Sequence, residues 1–200
     1  MKAELLGAIP QGALIVGQST WANRPLASAY NGKGWYMTNL KHVFISDGTD
    51  WFPMGGVMRG GGTAVAVSHT GNSNRTSVWS TTIPGGLLGA NGQLWIYPQF
   101  TLTNSGNSKN PRIRFGSTDF WSTGATSTYS AHGFVVIANR NNPAVQFSSP
   151  NTTLMFSNTV DTGISGTENT NNDLTLDFSF QLVNTGETGT LERIHWELRK

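Results

Sequence analysis

The sequence contains no cysteine, which excludes disulfide bonds and thiolate metal ligands. Charged residues are also scarce: they make up 12% of the 200 residues, against about 25% in an average globular domain. The net charge is only +2, and no run of basic residues forms a stripe, so we expect no nucleic-acid partner. Because the chain cannot form disulfide bonds, its stability must come from apolar packing or from association with other chains.

Long apolar runs are missing as well. No stretch approaches the roughly 18 apolar residues of a membrane helix, and we expect no membrane insertion. The opening segment 1–17, MKAELLGAIPQGALIVG, has one lysine and an apolar stretch that Pro10 interrupts. These features make a poor secretory signal peptide. We therefore expect a protein that is made in the cytoplasm and not exported by the general secretory pathway.

What the sequence has in abundance is turn chemistry. Glycine occurs 24 times, and the loop-like stretches SHTGNSNRTS (68–77), TNSGNSKNP (103–111) and SGTENTNN (165–172) consist mostly of Gly, Asn, Ser and Thr. These residue types favour tight turns. Short apolar–polar alternations lie between the turns, and helix signals are nearly absent. The pattern predicts an all-β protein, an antiparallel β-sandwich of jelly-roll type.

Three stretches show the strand pattern most clearly. In QLWIYPQFTLT, the side chains of Trp95 and Tyr97 lie on the face opposite Leu94 and Ile96. Pro98, in the same stretch, predicts a sheet edge or a bulge, because proline cannot donate to a strand ladder. DLTLDFSFQLVN (173–184) and LERIHWELRK (191–200) alternate in the same way, the latter with Trp196 inward and His195 outward. HGFVVIANR (132–140) is a continuous apolar run, which predicts a strand buried on both faces.

The composition changes near residue 60. Residues 1–60 mix proline, glycine and aromatic residues with only short strand candidates, and MRGGGT (58–63) predicts a flexible joint because adjacent glycines leave the backbone unrestrained. We therefore divide the chain into an N-terminal region, 1–60, and a β-sandwich domain, 61–200. Because the N-terminal region has few regular elements, we expect it to lack a core of its own and to be ordered by docking on a neighbouring chain.

The sequence offers no arrangement typical of an enzyme. The four histidines, His42, His69, His132 and His195, have no partner at a metal-ligand spacing. Asp47 and Asp50 flank a turn, whereas glycosidase carboxylates face each other across a cleft. GISG (163–166) and RGGGT (59–63) do not complete a nucleophile elbow or a phosphate-binding loop. We predict no catalytic residue, no metal site and no cofactor.

The tryptophans are the strongest sign of a binding surface. Trp95 and Tyr97 share one strand face, and together with Trp121 they are candidates for a subunit interface or for contact with a glycan. Aromatic residues are enriched at protein interfaces, and we favour an interface or core role over a ligand platform. In the N-terminal region, the candidates for docking on another chain are Trp21, Trp35 and Trp51.

Residues 27–56, ASAYNGKGWYMTNLKHVFISDGTDWFPMGG, resemble a segment of tailed-bacteriophage fibre and virion proteins. In those proteins an SAYPGK turn precedes short strands and an SDGTxWxPxGG close. Ser28–Lys33 and Ser46–Gly56 carry the match, with Asn31 where proline is usual. The stretches IPGGLLGANGQL, TNSGNSKNPRIRFG and GTLERIHWEL are similar to the β-sandwich part of phage head-fibre, decoration or tail-appendage proteins.

The resemblance implies a non-enzymatic structural protein located in the virion. It implies self-association, with a homotrimer as the form to test, and docking of the N-terminal region on other virion proteins of the capsid, neck or tail. One alternative is a carbohydrate-binding module that contacts host-surface glycans through exposed tryptophans. A second is a glycan-degrading enzyme, for which the sequence provides no converging pair of carboxylates.

Overall fold

A computed structural model describes residues 14–71, 73–127, 130–148 and 163–200, so most of the opening segment 1–17 lies outside the described residues. Within these ranges the regular structure is almost entirely β, with one single 3-10 turn at Ala27–Ala29. The predicted all-β class is confirmed. The strands are β1 (Ile15–Ser19), β2 (Gly34–Met37), β3 (His42–Ser46), β4 (Trp51–Pro53), β5 (Val57–Thr63), β6 (Val67–Thr70), β7 (Arg75–Ile83), β8 (Gln93–Leu102), β9 (Lys109–Phe115), β10 (Thr118–Ser122), β11 (Ser130–His132), β12 (Val135–Asn139), β13 (Gln146–Ser148), β14 (Ile164–Gly166), β15 (Leu174–Leu182) and β16 (Thr188–Arg199).

The described residues form two compact units, one of residues 14–60 with 197–200 and the other of the described residues between 61 and 196. The boundaries fall inside β5 and inside β16. The division made from the sequence assigns 197–200 to the sandwich domain, whereas in the structure these four residues group with the first unit. The composition change near residue 60 cannot reveal this grouping, because residues 197–200 lie far from residue 60 along the chain.

The first unit holds a four-stranded sheet in the order β1-β2-β3-β4, in which β1 pairs with β2 in parallel and the other pairs are antiparallel. Trp21 and Trp51 are buried, with 1% and 2% of their surface exposed. The Trp21 ring packs on Phe44 at a centroid distance of 5.0 Å, and the Trp51 indole donates to the carbonyl of Pro25 at 3.0 Å. The expectation that this region lacks a core is therefore wrong.

The second unit is an antiparallel β-sandwich, as predicted. A four-stranded small sheet runs β10-β9-β15-β7, and a large sheet runs β14-β13-β12-β8-β16-β5, with β11 paired to β8 and β6 paired to β16. Apolar side chains of the two sheets meet in the interior: the Phe100 ring of β8 lies 5.7 Å from Phe178 and 6.2 Å from Phe180 of β15. Alternation along β8, β15 and β16 therefore has the predicted faces, with Trp196 inward.

Pro98 lies inside β8 at an interruption of the neighbouring strands. β12 pairs with β8 as far as Ile96, and β11 takes over at Gln99. Opposite Pro98, between these two paired segments, the Gly133 amide donates a hydrogen bond to the Pro98 carbonyl at 3.2 Å. The sequence predicted either a bulge or a sheet edge at Pro98. An irregularity of the pairing is found there, whereas the edge position is wrong because β8 has neighbours on both sides.

Two strand predictions need correction. In β12, Val135 and Ile137 are buried but Val136 and Ala138 are half-buried. One face of this strand thus lies on the outside of the large sheet, and the prediction of burial on both faces is wrong. An apolar run is ambiguous in this respect, because outward positions on a sheet can also be apolar when neighbouring side chains cover them.

The glycine-rich stretch 58–63 is not a flexible joint but most of β5, which pairs with β16. At Gly62, a Cβ atom would lie 2.2 Å from the carbonyl oxygen of Ile194. Glycine is therefore required at this position by a close approach of two backbones, and not for freedom of movement.

Candidate binding site on the outer face of the large sheet

The outer face of the large sheet carries a cluster of aromatic side chains. Trp95 and Tyr97 point outward from the central strand β8 because the alternate residues of the strand, such as Leu94 and Ile96, fill the core. On one side, Val136 of β12 is the direct partner of Trp95, and Phe134 just precedes β12. On the other side β16 contributes His195, whose neighbours along the strand are buried.

Four rings follow one another in contact, and we call them the aromatic row: His195, Tyr97, Phe134 and Trp95. The centroids of His195 and Tyr97 are 4.5 Å apart with an interplanar angle of 11°, and those of Phe134 and Trp95 are 5.6 Å apart with an angle of 8°. Tyr97 and Phe134 are 6.4 Å apart and tilted by 31°. In the two near-parallel pairs, His195 with Tyr97 and Phe134 with Trp95, the faces of the rings are turned toward one another.

A cleft of about 190 Å³ opens beside the aromatic row. It lies where the ladder is interrupted at Pro98, so that the irregularity in β8 is what makes room for it. The side chains of Arg193, His132 and Gln99 are exposed there. Its lining contains donors and aromatic groups but no carboxylate, and the lining residues are Tyr97, Pro98, Gln99, His132, Gly133, Arg193 and His195.

The structure brings Trp95 and Tyr97 together but leaves Trp121 elsewhere. Trp121 follows an irregularity of the register in β10 of the small sheet. Its ring packs on the buried Phe100 at a centroid distance of 6.1 Å. Trp121 therefore lies at the margin of the core and not in the aromatic row.

The three tryptophans predicted to dock on another chain have different surroundings. Trp21 and Trp51 are core residues of the first unit. Trp35 is half-buried: its indole donates to Ser19 Oγ at 2.9 Å, and its ring lies edge-on to Tyr30 at 5.1 Å. Of the three, Trp35 alone keeps a substantial exposed surface.

Sequence reasoning assigned only Trp95 and Tyr97 to this site; the residues that it missed include Phe134 and Arg193. Phe134 was hidden in the apolar run 132–140, although alternation from Val136 would have placed it on the outer face with Trp95. Arg193 lies where the alternation of β16 shifts between the buried residues Leu191 and Ile194. The two adjacent polar residues between Leu191 and Ile194 are the signal that could have revealed the shift.

A network of charged side chains covers the outer face of the small sheet. Asp119 of β10 accepts from Arg75 at 2.7 Å, from Arg114 at 2.8 Å and from Arg112 at 3.2 Å. Arg75 also donates to Asp177 at 3.0 Å. Burial alone would raise the pKa of Asp119, but the hydrogen bonds from Arg114 and Arg75 outweigh it and lower that pKa. The network thus links all four strands of the small sheet on this face.

Within the described ranges, no group of three or more histidine or carboxylate side chains is placed to hold a metal ion. In the same ranges no helix is long and apolar enough to cross a membrane. No protein-family model matches the chain, and no curated protein matches it either.

Proposed function

We propose that this protein is a non-enzymatic structural component of a tailed-phage virion, either a fibre or appendage subunit or a capsid decoration subunit. The first unit attaches to the particle and the β-sandwich is displayed. The aromatic row is the observation that carries the proposal: it is the surface on which the sandwich makes its contacts. The resemblance of the N-terminal region to phage virion proteins supports the same assignment.

The aromatic row suits a contact surface because its rings are already ordered. Each ring is held by a neighbour at 4.5–6.4 Å, so little side-chain freedom remains to be lost on association. Aromatic residues are also enriched in the centre of protein interfaces. We propose that the row contacts other copies of the chain, with a homotrimer as the form to test, or the capsid, neck or tail proteins on which the subunit is mounted.

The two N-terminal stretches that resemble phage proteins, Ser28–Lys33 and Ser46–Gly56, form a single structural element. The Gly32 amide donates to the Ser46 carbonyl at 2.8 Å, and the Ser46 amide donates to the Lys33 carbonyl at 3.1 Å. The Ser46 hydroxyl donates to the Ala27 carbonyl at 2.7 Å. Asp47 closes the following turn by accepting from the amides of Thr49 and Asp50. The resemblance thus concerns residues that build one compact element, which supports a shared attachment module.

The experiment is immunogold labelling of gradient-purified phage particles with an antibody against the full chain. We expect gold at one fixed position on the particle, head or tail, with a repeating symmetry. Particles assembled without the protein serve as the control for antibody specificity. If infectious particles carry no label, and the protein is absent from them by mass spectrometry, the assignment to the virion is overturned.

The second candidate function is carbohydrate binding, by which the displayed sandwich would hold the phage to a host-surface glycan. The cleft beside the aromatic row favours it, because exposed amide, imidazole and guanidinium groups converge on a space large enough for a small polar ligand. Binding of the full chain to host-surface polysaccharide by biolayer interferometry tests this function. Failure of the chain to bind any such polysaccharide would remove it.

A further inference from the structure

We infer that the cleft beside the aromatic row binds an acidic saccharide, and that Arg193 recognises its negative charge. The inference rests on the second candidate function, carbohydrate binding, and specifies its ligand. It depends on three features of the cleft, namely the charge of the lining residues, the orientation of the rings and the size of the space.

The charge of the lining favours an anion. Arg193 is the charged side chain among the residues that line the cleft, and no carboxylate lines it. Among the described residues no ion pair holds Arg193, whereas Arg75 is paired with Asp119 and Asp177. An exposed guanidinium without a carboxylate partner is suited to take a carboxylate from a ligand, because its planar donors match two oxygens at once.

The nearest acidic neighbour along the strand, Glu192, is engaged elsewhere. Its Oε1 accepts from the Thr101 hydroxyl at 2.7 Å. Glu192 thus has its own partner on β8, outside the residues that line the cleft.

The ring orientation disfavours a flat stacking platform for neutral sugars. In the aromatic row Tyr97 lies between His195 and Phe134, so that its faces are turned to neighbouring rings. A sugar that enters the cleft therefore meets ring edges and polar side chains. Recognition by hydrogen bonds and charge fits this geometry better than stacking does, and Gln99 supplies an exposed amide for hydroxyl groups.

The size of the cleft suits a single sugar ring. Its volume is about 190 Å³, below the range of about 300–1,000 Å³ that is usual for pockets that take larger ligands. The ligand that fits is one charged sugar unit of a longer polysaccharide, whose remaining units lie outside the cleft. The charge can come from the carboxylate of a uronic acid or from a sulfate substituent.

The test is isothermal titration calorimetry of the full chain with short galacturonate oligomers, with their methyl esters, and with sulfated galactose oligomers of equal length. Methyl esterification removes the charge and keeps the ring. We expect binding of the galacturonates that is at least about tenfold tighter than binding of the esters, since hydrogen bonds to charged groups contribute about 1.5–3 kcal/mol. The sulfated oligomers show whether a sulfate substituent serves equally well.

Arg193→Gln is the diagnostic variant, because it removes the charge from an exposed side chain. Affinity for the galacturonates should fall about tenfold or more. Arg140→Gln is the matched control: Arg140 is also exposed and belongs to the same unit, but it lies over the Phe147 ring and not in the cleft. It should bind like the wild type, and the thermal unfolding of both variants should match the wild type.

Two results would overturn the inference, and they are distinguishable. Equal affinity for acid and ester, unchanged in Arg193→Gln, would show a neutral glycan site and leave carbohydrate binding in place. Absence of binding to every oligomer would overturn the acidic-saccharide inference, and if host polysaccharide also fails to bind, carbohydrate binding falls with it. Neither result bears on the virion assignment, which immunogold labelling tests separately.

Discussion

The ammonium group of Lys109 lies 3.4 Å from Oε2 of Glu187, and both side chains are buried, with 0% and 4% exposed. Ser105 and Asn107 complete the arrangement. Lys109 donates to the Ser105 hydroxyl at 2.9 Å and to the Asn107 carbonyl at 2.8 Å, while Glu187 Oε1 accepts from both residues. This buried pair joins the start of β9 to the turn before β16.

The first prediction concerns this pair. Glu187→Gln should lower the melting temperature of the chain, because it leaves the buried ammonium of Lys109 without a counter-charge. The double variant Lys109→Met, Glu187→Leu should lose less stability than Glu187→Gln alone, since it removes both buried charges together. Calorimetric melting of the three proteins checks this order. Melting of Glu187→Gln at the wild-type temperature would contradict it.

The second prediction concerns pH. The pKa of Asp119 is lowered on folding, because hydrogen bonds from Arg114 and Arg75 outweigh the effect of burial. Its contribution to stability is therefore present above the ordinary aspartate pKa and is lost as the pH falls through the lowered value. Urea unfolding between pH 7 and pH 3 should show this loss in the wild type.

Asp119→Asn should be less stable than the wild type at neutral pH and should lose less stability on acidification. Asp173→Asn provides the matched control, because Asp173 lies outside the arginine network and accepts only from the Gly85 amide among the described hydrogen bonds. An Asp119→Asn protein with the same pH dependence as the wild type would show that the network does not contribute.

The sandwich was predictable because its strands obey a period of two. Leu176, Phe178 and Phe180 share one face in the sequence and are all buried in the structure. Such a register is strongly specified when one face is apolar. The sequence also indicated the irregularity at Pro98, because the missing amide of proline is a local property.

The candidate site was only partly predictable because it depends on contacts between strands. Trp95 and Tyr97 are two residues apart, and alternation alone places them together. Phe134 and His195 join them only through the pairing of β12 and β16 with β8, which sequence spacing does not define. The core of the first unit was missed for a similar reason, since Trp21 and Phe44 meet across 22 intervening residues.

The third prediction tests the role of the glycines in β5. Gly62→Ala should destabilise the protein by about 1–3 kcal/mol, as overpacking does, because the new methyl group would lie 2.2 Å from the Ile194 carbonyl oxygen. Gly61→Ala is the adjacent control: its nearest neighbour would be the Trp196 indole nitrogen at 3.7 Å, an ordinary contact. Chemical unfolding of both variants measures the difference. Equal stability of the two variants would contradict the requirement for glycine at position 62.

The last prediction concerns the aromatic row as a contact between copies of the chain. Phe134→Ala removes the ring between Trp95 and Tyr97 and should weaken self-association in sedimentation velocity. The monomer itself should lose about 0.5–1.5 kcal/mol for each ring pair, in addition to the lost burial. Trp95→Ala should act in the same direction, because it removes the end of the same stack.

Phe147→Ala is the control for these variants. Phe147 is half-buried and lies opposite the outward-facing Ala138, but it packs with Arg140 and is no part of the aromatic row. It should assemble like the wild type, because an aromatic truncation outside the row removes no ring from the proposed contact. If Phe134→Ala and Trp95→Ala also sediment like the wild type, or if the wild type remains monomeric at every concentration, the row does not join copies of the chain. Its contact would then have to be sought with the capsid, neck or tail proteins, by testing whether the same two variants fail to label on purified particles.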